Sequence, residues 1–132
     1  MSNEGVPAHA NFQQVTPFLH VRDVDETVRF FVERLGFRAL VQRHDYAYVH
    51  RETVGFRILL NTRDEVGSRR ILYYIDVTDV DAVVAELAPK LADLPEHHVF
   101  GPKDQEYGQR EYMVRVPDGM VLTYGQAIQS VR

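Results

Sequence analysis

An α+β fold made of two βαβββ repeats, each curving a mixed sheet around a cup with its helix on the outside, is predicted by three observations. The octet VRDVDETV at Val21 to Val28 recurs 56 residues later as VTDVDAVV at Val77 to Val84. An apolar stripe at Val24, Val28, Phe31 and Leu35 lands, at the same offset, on Val80, Val84, Leu87 and Leu91. Both stripes have the three-to-four-residue spacing of an amphipathic helix, and each is preceded by a stretch in which apolar residues alternate with others, the two-residue rhythm of a half-buried strand.

The elements follow in order. A first strand spans Pro17 to Arg22. Asp23 then caps a helix in which Glu26 completes a capping box and Gly36 provides the stop. Strands are expected around Arg38 to Arg43, Tyr46 to Arg51 and Gly55 to Asn61. The second unit repeats the plan: a strand at Ile71 to Val77, a helix capped by Asp79, then strands around His98 to Gly101, Gln109 to Val116 and Gly119 to Tyr124. Pro117-Asp118-Gly119 is a β-turn sequence. Residues 14–126 form the domain, with repeat one at 14–62 and repeat two at 69–126, and residues 1–13 are a flexible tail. Neither unit alone is large enough to bury its helix and sheet well.

The totals narrow the function classes. With 15 basic and 19 acidic side chains in 132 residues, and neither sign massed on one segment, nucleic acid is not an expected partner. No apolar run reaches the roughly 18 residues that cross a bilayer, and the polar start lacks the pattern of a signal peptide, so the expectation is a cytoplasmic protein with no membrane partner. Cysteine is absent, which removes disulfides, thiolate metal sites and cysteine nucleophiles. The three serines, Ser2, Ser68 and Ser130, lie in the tail, the junction and the C-terminus, where a nucleophile is not expected.

The opening TPFLHVRDV at Thr16 to Val24, followed by FFVERLGF at Phe30 to Phe37, resembles the start of vicinal-oxygen-chelate proteins, the glyoxalase/bleomycin-resistance/dioxygenase superfamily. The close, YGQREY at Tyr107 to Tyr112 and VPDGMVL at Val116 to Leu122, is similar to that family's ending, with Val116 where an Asp is usual. The resemblance covers about residues 14 to 126. It implies the paired βαβββ fold and, in the enzymes, a divalent metal held by side chains from the first and last strand of each half. The matching positions here are Thr16, Leu59, Leu72 and Thr123, and two leucines with two neutral hydroxyls do not make a site for a hard cation. The expectation is therefore no metal and no cofactor, and a likeness to the metal-free bleomycin-resistance members. The alternative is a glyoxalase-like lyase or isomerase, or a dioxygenase-family enzyme, with an atypical site. A third possibility is a module whose cup is filled by its own side chains.

Strand alternation in phase with Thr16 and Leu72 puts Phe18 and His20 in the cup of one half, and Tyr74 and Asp76 in that of the other, with Leu59 and Thr123 beside them. Phe18 pairs with Tyr74 and His20 with Asp76 across the repeat. Rings and a carboxylate suit an aromatic or cationic ligand, and His20 with Asp76 is a candidate acid/base pair. The bland alternatives are that the rings fill core and that His20 is a structural imidazole. Tyr46, Tyr48 and His50 share one face of their strand; the small pair Ala47 and Val49 on the other suits packing under a helix, which turns the polar set toward the cup, although solvent could claim it. Tyr107, Arg110 and Tyr112 belong to the family-like ending and either border the ligand or fix a turn. The family resemblance also implies a homodimer around a small-molecule ligand, and antibiotic resistance as one context.

Overall fold

The computed structural model describes residues 11–63 and 71–128. Most of the tail expected over 1–13 and most of the junction between the repeats lie outside these residues.

The first half runs β1 (Phe18–Val21), α1 (Val24–Arg29), β2 (Arg38–Gln42), β3 (Tyr46–Arg51) and β4 (Val54–Leu60). Asp23 Oδ1 accepts the Glu26 N–H at 3.0 Å, satisfying one of the donors a helix start leaves open. Beyond Arg29 the helix widens into a π turn at Phe30–Arg34. Gly36 then takes a left-handed backbone, φ +77°, and lets the Phe37 N–H reach back to the Phe31 carbonyl at 3.0 Å. The second half runs β5 (Ile71–Asp76), α2 (Val80–Leu91), β6 (Val99–Asp104), β7 (Gln109–Val116) and β8 (Met120–Ala127), with Asp79 capping α2 through Ala82 N–H at 3.1 Å.

Each half is a four-stranded mixed sheet, ordered β1-β4-β3-β2 and β5-β8-β7-β6, in which the first strand pairs parallel with the last and the rest are antiparallel. The repeat inferred from the octet is thus a repeat of topology, and the expected strands are present, with no end shifted by more than three residues.

One face of each sheet is covered by its own helix. Leu19, Val21, Ala47, Val49, Phe56 and Ile58 of the first half are buried there, as are Ile75, Tyr112, Val114, Leu122 and Tyr124 of the second. These residues form one cluster, so the helix-bearing faces of the two sheets share a single core. Phe56 meets Tyr73 edge-on across it at 5.7 Å. Ion pairs tie the halves together: Arg51 grips Glu86 with both terminal nitrogens, at 2.6 and 2.8 Å, Arg34 holds Asp93, and Arg22 Nε lies 4.0 Å from Asp118. The helices therefore lie on the sides of the sheets opposite the cup faces, as expected.

Candidate functional site

The open face of the first half is built from three rows across β1, β4 and β3. Phe18, Arg57 and Tyr48 stand side by side, then His20, Leu59 and Tyr46, and Gly55 is opposite His50. Ala47 and Val49 are fully buried under the helix, and Tyr46, Tyr48 and His50 stand on the other face of the strand. Gly55 matters here because a side chain at that position would meet Tyr48 Oη at 2.7 Å; the tyrosine lies in the space the glycine leaves. His50 stacks on Tyr48 with ring centroids 6.3 Å apart, and the Arg57 guanidinium sits over the same tyrosine at 4.9 Å. Arg57 also donates from Nε to Thr16 Oγ1 at 2.8 Å and from Nη1 to Tyr46 Oη at 2.6 Å. Asn61 Nδ2 lies 3.2 Å from His20 Nδ1; when the amide donates, the neutral ring carries its proton on Nε2. Phe18 remains 49% exposed, so it caps no core.

The open face of the second half has the same construction with different chemistry. Its rows are Leu72, Val121 and Arg115, then Tyr74, Thr123 and Met113, then Asp76, Gly125 and Glu111. The Tyr74 phenol covers Gly125 so closely that a Cβ there would overlap it, which repeats the tyrosine-over-glycine arrangement of Tyr48 and Gly55. Tyr74 Oη donates to Gln109 Oε1 at 3.1 Å. Glu111, only 4% exposed, accepts from Tyr107 Oη at 2.9 Å. Loss of solvent and the adjacent Glu111 hold the Tyr74 phenol well above its ordinary range, and the hydrogen bond to Glu111 raises that of Tyr107. Both hydroxyls therefore stay protonated donors at neutral pH.

The remaining sequence expectations are placed as follows. Phe18, His20, Leu59, Tyr74, Asp76 and Thr123 are on the open faces, Thr123 being covered by its neighbours. Tyr107 borders the second face through its bond to Glu111. Arg110 and Tyr112 do not stand there, which corrects their expected place. They register with Gln126 and Tyr124, on the helix side of the sheet. Tyr112 is a core residue, and Arg110 bonds Asp104 from Nε at 2.7 Å and Asp81 from Nη1 at 3.0 Å. The expected His20 and Asp76 pair is not joined by a hydrogen bond or an ion pair: each stands on the open face of its own sheet, and the partner of His20 is Asn61. Sequence reasoning passed over Arg57 and Glu111. Arg57 was accessible to it, being two residues from Leu59 on the same strand and so in phase with it.

The divalent metal that the resemblance associates with this fold does not fit the residues present. Leu59 and Leu72 offer no donor atom, and the Thr16 hydroxyl is already occupied by a guanidinium, a fixed positive charge beside the position a cation would take. Among the described residues, no three His, Asp or Glu side chains gather into a chelating group.

Comparison with known proteins then gives a consistent result. The chain is similar to a solved bleomycin-binding protein from bleomycin-producing Streptomyces verticillus, complexed with copper(II)-bleomycin: 27% identity, 91% of this chain against 99% of that one, TM-score 0.74. It is similar at 27% identity to TnmS3, an antibiotic binding protein from Streptomyces sp. CB03234, with 90% and 99% covered and a TM-score of 0.65. The bleomycin resistance determinant encoded on transposon Tn5 shares the fold at 21% identity, with 89% and 100% covered and a TM-score of 0.70. No curated protein sequence matches. The family model for the Glyoxalase/Bleomycin resistance protein/Dioxygenase superfamily matches residues 9–124, most of the chain's length, and with the paired βαβββ topology described above, the chain belongs to that superfamily.

Proposed function

We propose that this protein is a metal-independent small-molecule binding protein that sequesters an aromatic or cationic ligand without transforming it. The observation that carries this reading is the pair of open sheet faces on which a tyrosine occupies the space left by a glycine. A strand position that gives up its side chain to seat a ring builds a flat platform, and platforms of this kind offer stacking area at low entropic cost. On the second half, Glu111 and Asp76 provide charge for a cationic group beside the Tyr74 ring. The antibiotic-binding character of the two 27% identical structures supports the same reading.

A homodimer belongs to it. Each chain carries two four-stranded sheets with an open face each, and a two-fold partner that lays its second half against the first half of its mate would enclose both faces in one step. Closure would also cover Leu72, Phe100 and Phe18, large apolar side chains that are otherwise in water. The protein then works in the cytoplasm, holding its ligand between subunits.

The test is a thermal-shift and sedimentation experiment with bleomycin and a panel of planar aromatic cations and neutral aromatics. A specific ligand at ~100 times its dissociation constant should stabilise the fold by about 2.7 kcal/mol, with the protein sedimenting at twice the chain mass. A strictly monomeric protein that no member of the panel stabilises would remove the proposal.

A further inference from the structure

The first half's open face holds a cation that no carboxylate among the described residues neutralises. Arg57 sits on β4, a strand with a neighbour on each side, and its guanidinium is fixed three times over: by Thr16 Oγ1, by Tyr46 Oη, and by the Tyr48 ring beneath it. All three partners are neutral. Every other part of this face points the same way, since His20, His50 and Arg38 share it and β1, β2, β3 and β4 place no Asp or Glu there. Among the described residues Arg57 has no ion pair, whereas Arg34, Arg51 and Arg110 each hold a carboxylate at 3.0 Å or less.

A guanidinium has five N–H donors in one plane. Thr16 and Tyr46 take two, which leaves one on Nη1 and both on Nη2 without an acceptor among the described residues. Ordering an arginine side chain costs conformational entropy, here incurred in advance and with no salt bridge to offset it. Such a group is preorganised for a planar oxyanion, which can take two parallel hydrogen bonds from the fork while an attached ring lies along the Phe18 side of the same row.

We propose that Arg57 is an oxyanion receptor and that the guest's end lying on the first half carries an aromatic carboxylate or a similarly flat oxyanion. This rests on the binding function proposed above and adds the polarity of the guest: an oxyanion toward Arg57, and rings or a cationic group toward Tyr74 and Glu111 of the second half.

Benzoate, benzylammonium, benzyl alcohol and inorganic phosphate serve as probes, followed by the backbone amides of Phe18, Tyr48 and Leu59 and the Arg57 Nε–H signal in two-dimensional NMR. Benzoate should bind saturably and at least about tenfold more tightly than benzyl alcohol. Arg57→Gln should lose about tenfold or more of the benzoate affinity, while Arg57→Lys keeps the charge but not the fork and should lose less. Thermal melts of both variants confirm that they fold. Phosphate binding as well as benzoate would overturn the aromatic part of the assignment. Benzylammonium or benzyl alcohol matching benzoate, with Arg57→Gln unchanged, would overturn the oxyanion receptor and leave the binding reading intact; silence from every aromatic probe would remove both. If Arg57→Gln instead breaks a dimer and leaves benzoate affinity unchanged, the guanidinium belongs to a partner's carboxylate and the proposal fails.

Discussion

Replacing Gly125 by alanine tests the tyrosine-over-glycine platform directly. The added methyl would overlap the Tyr74 phenol, and the overlap involves the ring as well as the hydroxyl, so a shift of a few tenths of an ångström cannot relieve it. Gly125 has no left-handed backbone, so alanine itself is tolerated by the strand. The ring must therefore leave. Tyr74 is 46% exposed, so leaving forfeits about half of the ~200 Å² an aromatic side chain can bury. At about 25 cal/mol per Å² that is about 2.5 kcal/mol, and the gain from removing a glycine from a strand, about 0.5–1 kcal/mol, offsets part of it. A net loss of about 1.5–2 kcal/mol is expected in urea denaturation. In a Tyr74→Ala background the obstacle is gone, and the same Gly125→Ala change should become neutral or stabilising by about 0.5–1 kcal/mol. The double-mutant cycle thus predicts a reversal of sign. Equal destabilisation in both backgrounds would refute the account, since the methyl would then be meeting something other than the ring.

Three further outcomes follow from other parts of the chain. Tyr124 is 6% exposed and its hydroxyl has no hydrogen-bond partner, so Tyr124→Phe should be neutral or stabilise by up to about 1–2 kcal/mol in chemical denaturation; a loss above about 1 kcal/mol would mean the hydroxyl is bonded after all. Phe31 is fully buried, edge-on to Phe37 at 5.1 Å and tilted against Phe56 at 5.4 Å, and Phe31→Ala should cost about 3–5 kcal/mol, read as a large drop in melting temperature. The hydrogen bond from Arg51 holds the Glu86 carboxyl below its ordinary range. Because the folded value is the lower one, the stabilisation is complete above the unfolded pKa and disappears as pH falls through the folded one. The pair is partly solvated, so the effect is modest, and Glu86→Gln should flatten the acid limb of a stability-against-pH curve while changing its neutral plateau by about 1 kcal/mol or less. An acid limb unchanged by the substitution would assign that limb to other carboxylates.

The repeat was legible because a helix and a strand each impose a period on their apolar residues, and a matched octet at a fixed offset leaves little freedom in how two such units are arranged. The face of β3 was legible for a related reason: Ala47 and Val49 are small and apolar where a helix must approach, so the larger polar set has to stand opposite. What sequence could not deliver was parity across a turn. Thr123 and Tyr112 were both expected at the cup, yet Val116 pairs with Met120 around Pro117–Gly119, which sets Met113 opposite Thr123 and Tyr112 opposite Tyr124. A turn one residue shorter would exchange the faces of β7. The three-residue turn depends on Asp118 adopting φ +67°, a conformation its sequence permits without requiring. Two left-handed residues in succession, Asp118 and Gly119, thus decide that Glu111, and not Arg110 or Tyr112, belongs to the open face.

The relation between the halves was hidden for a different reason. Period-two alternation says which residues share a face of a strand, but it is indifferent to which faces of two separate sheets meet. That choice is made by side chains reaching between halves, above all Arg51 to Glu86, Arg34 to Asp93 and Phe56 to Tyr73, contacts spanning 17 to 59 residues of sequence with no local signature. Once they bring the helix-bearing faces into one core, each open face is left to the chemistry of its own half: His20 turns to Asn61, while Asp76 stands in the row of Gly125 and Glu111. Equivalence by repeat is a statement about backbone position and carries no information on which side chains become partners. The two open faces accordingly differ in charge although they share a topology, with Arg57 held by neutral groups on one and Glu111 held by Tyr107 on the other.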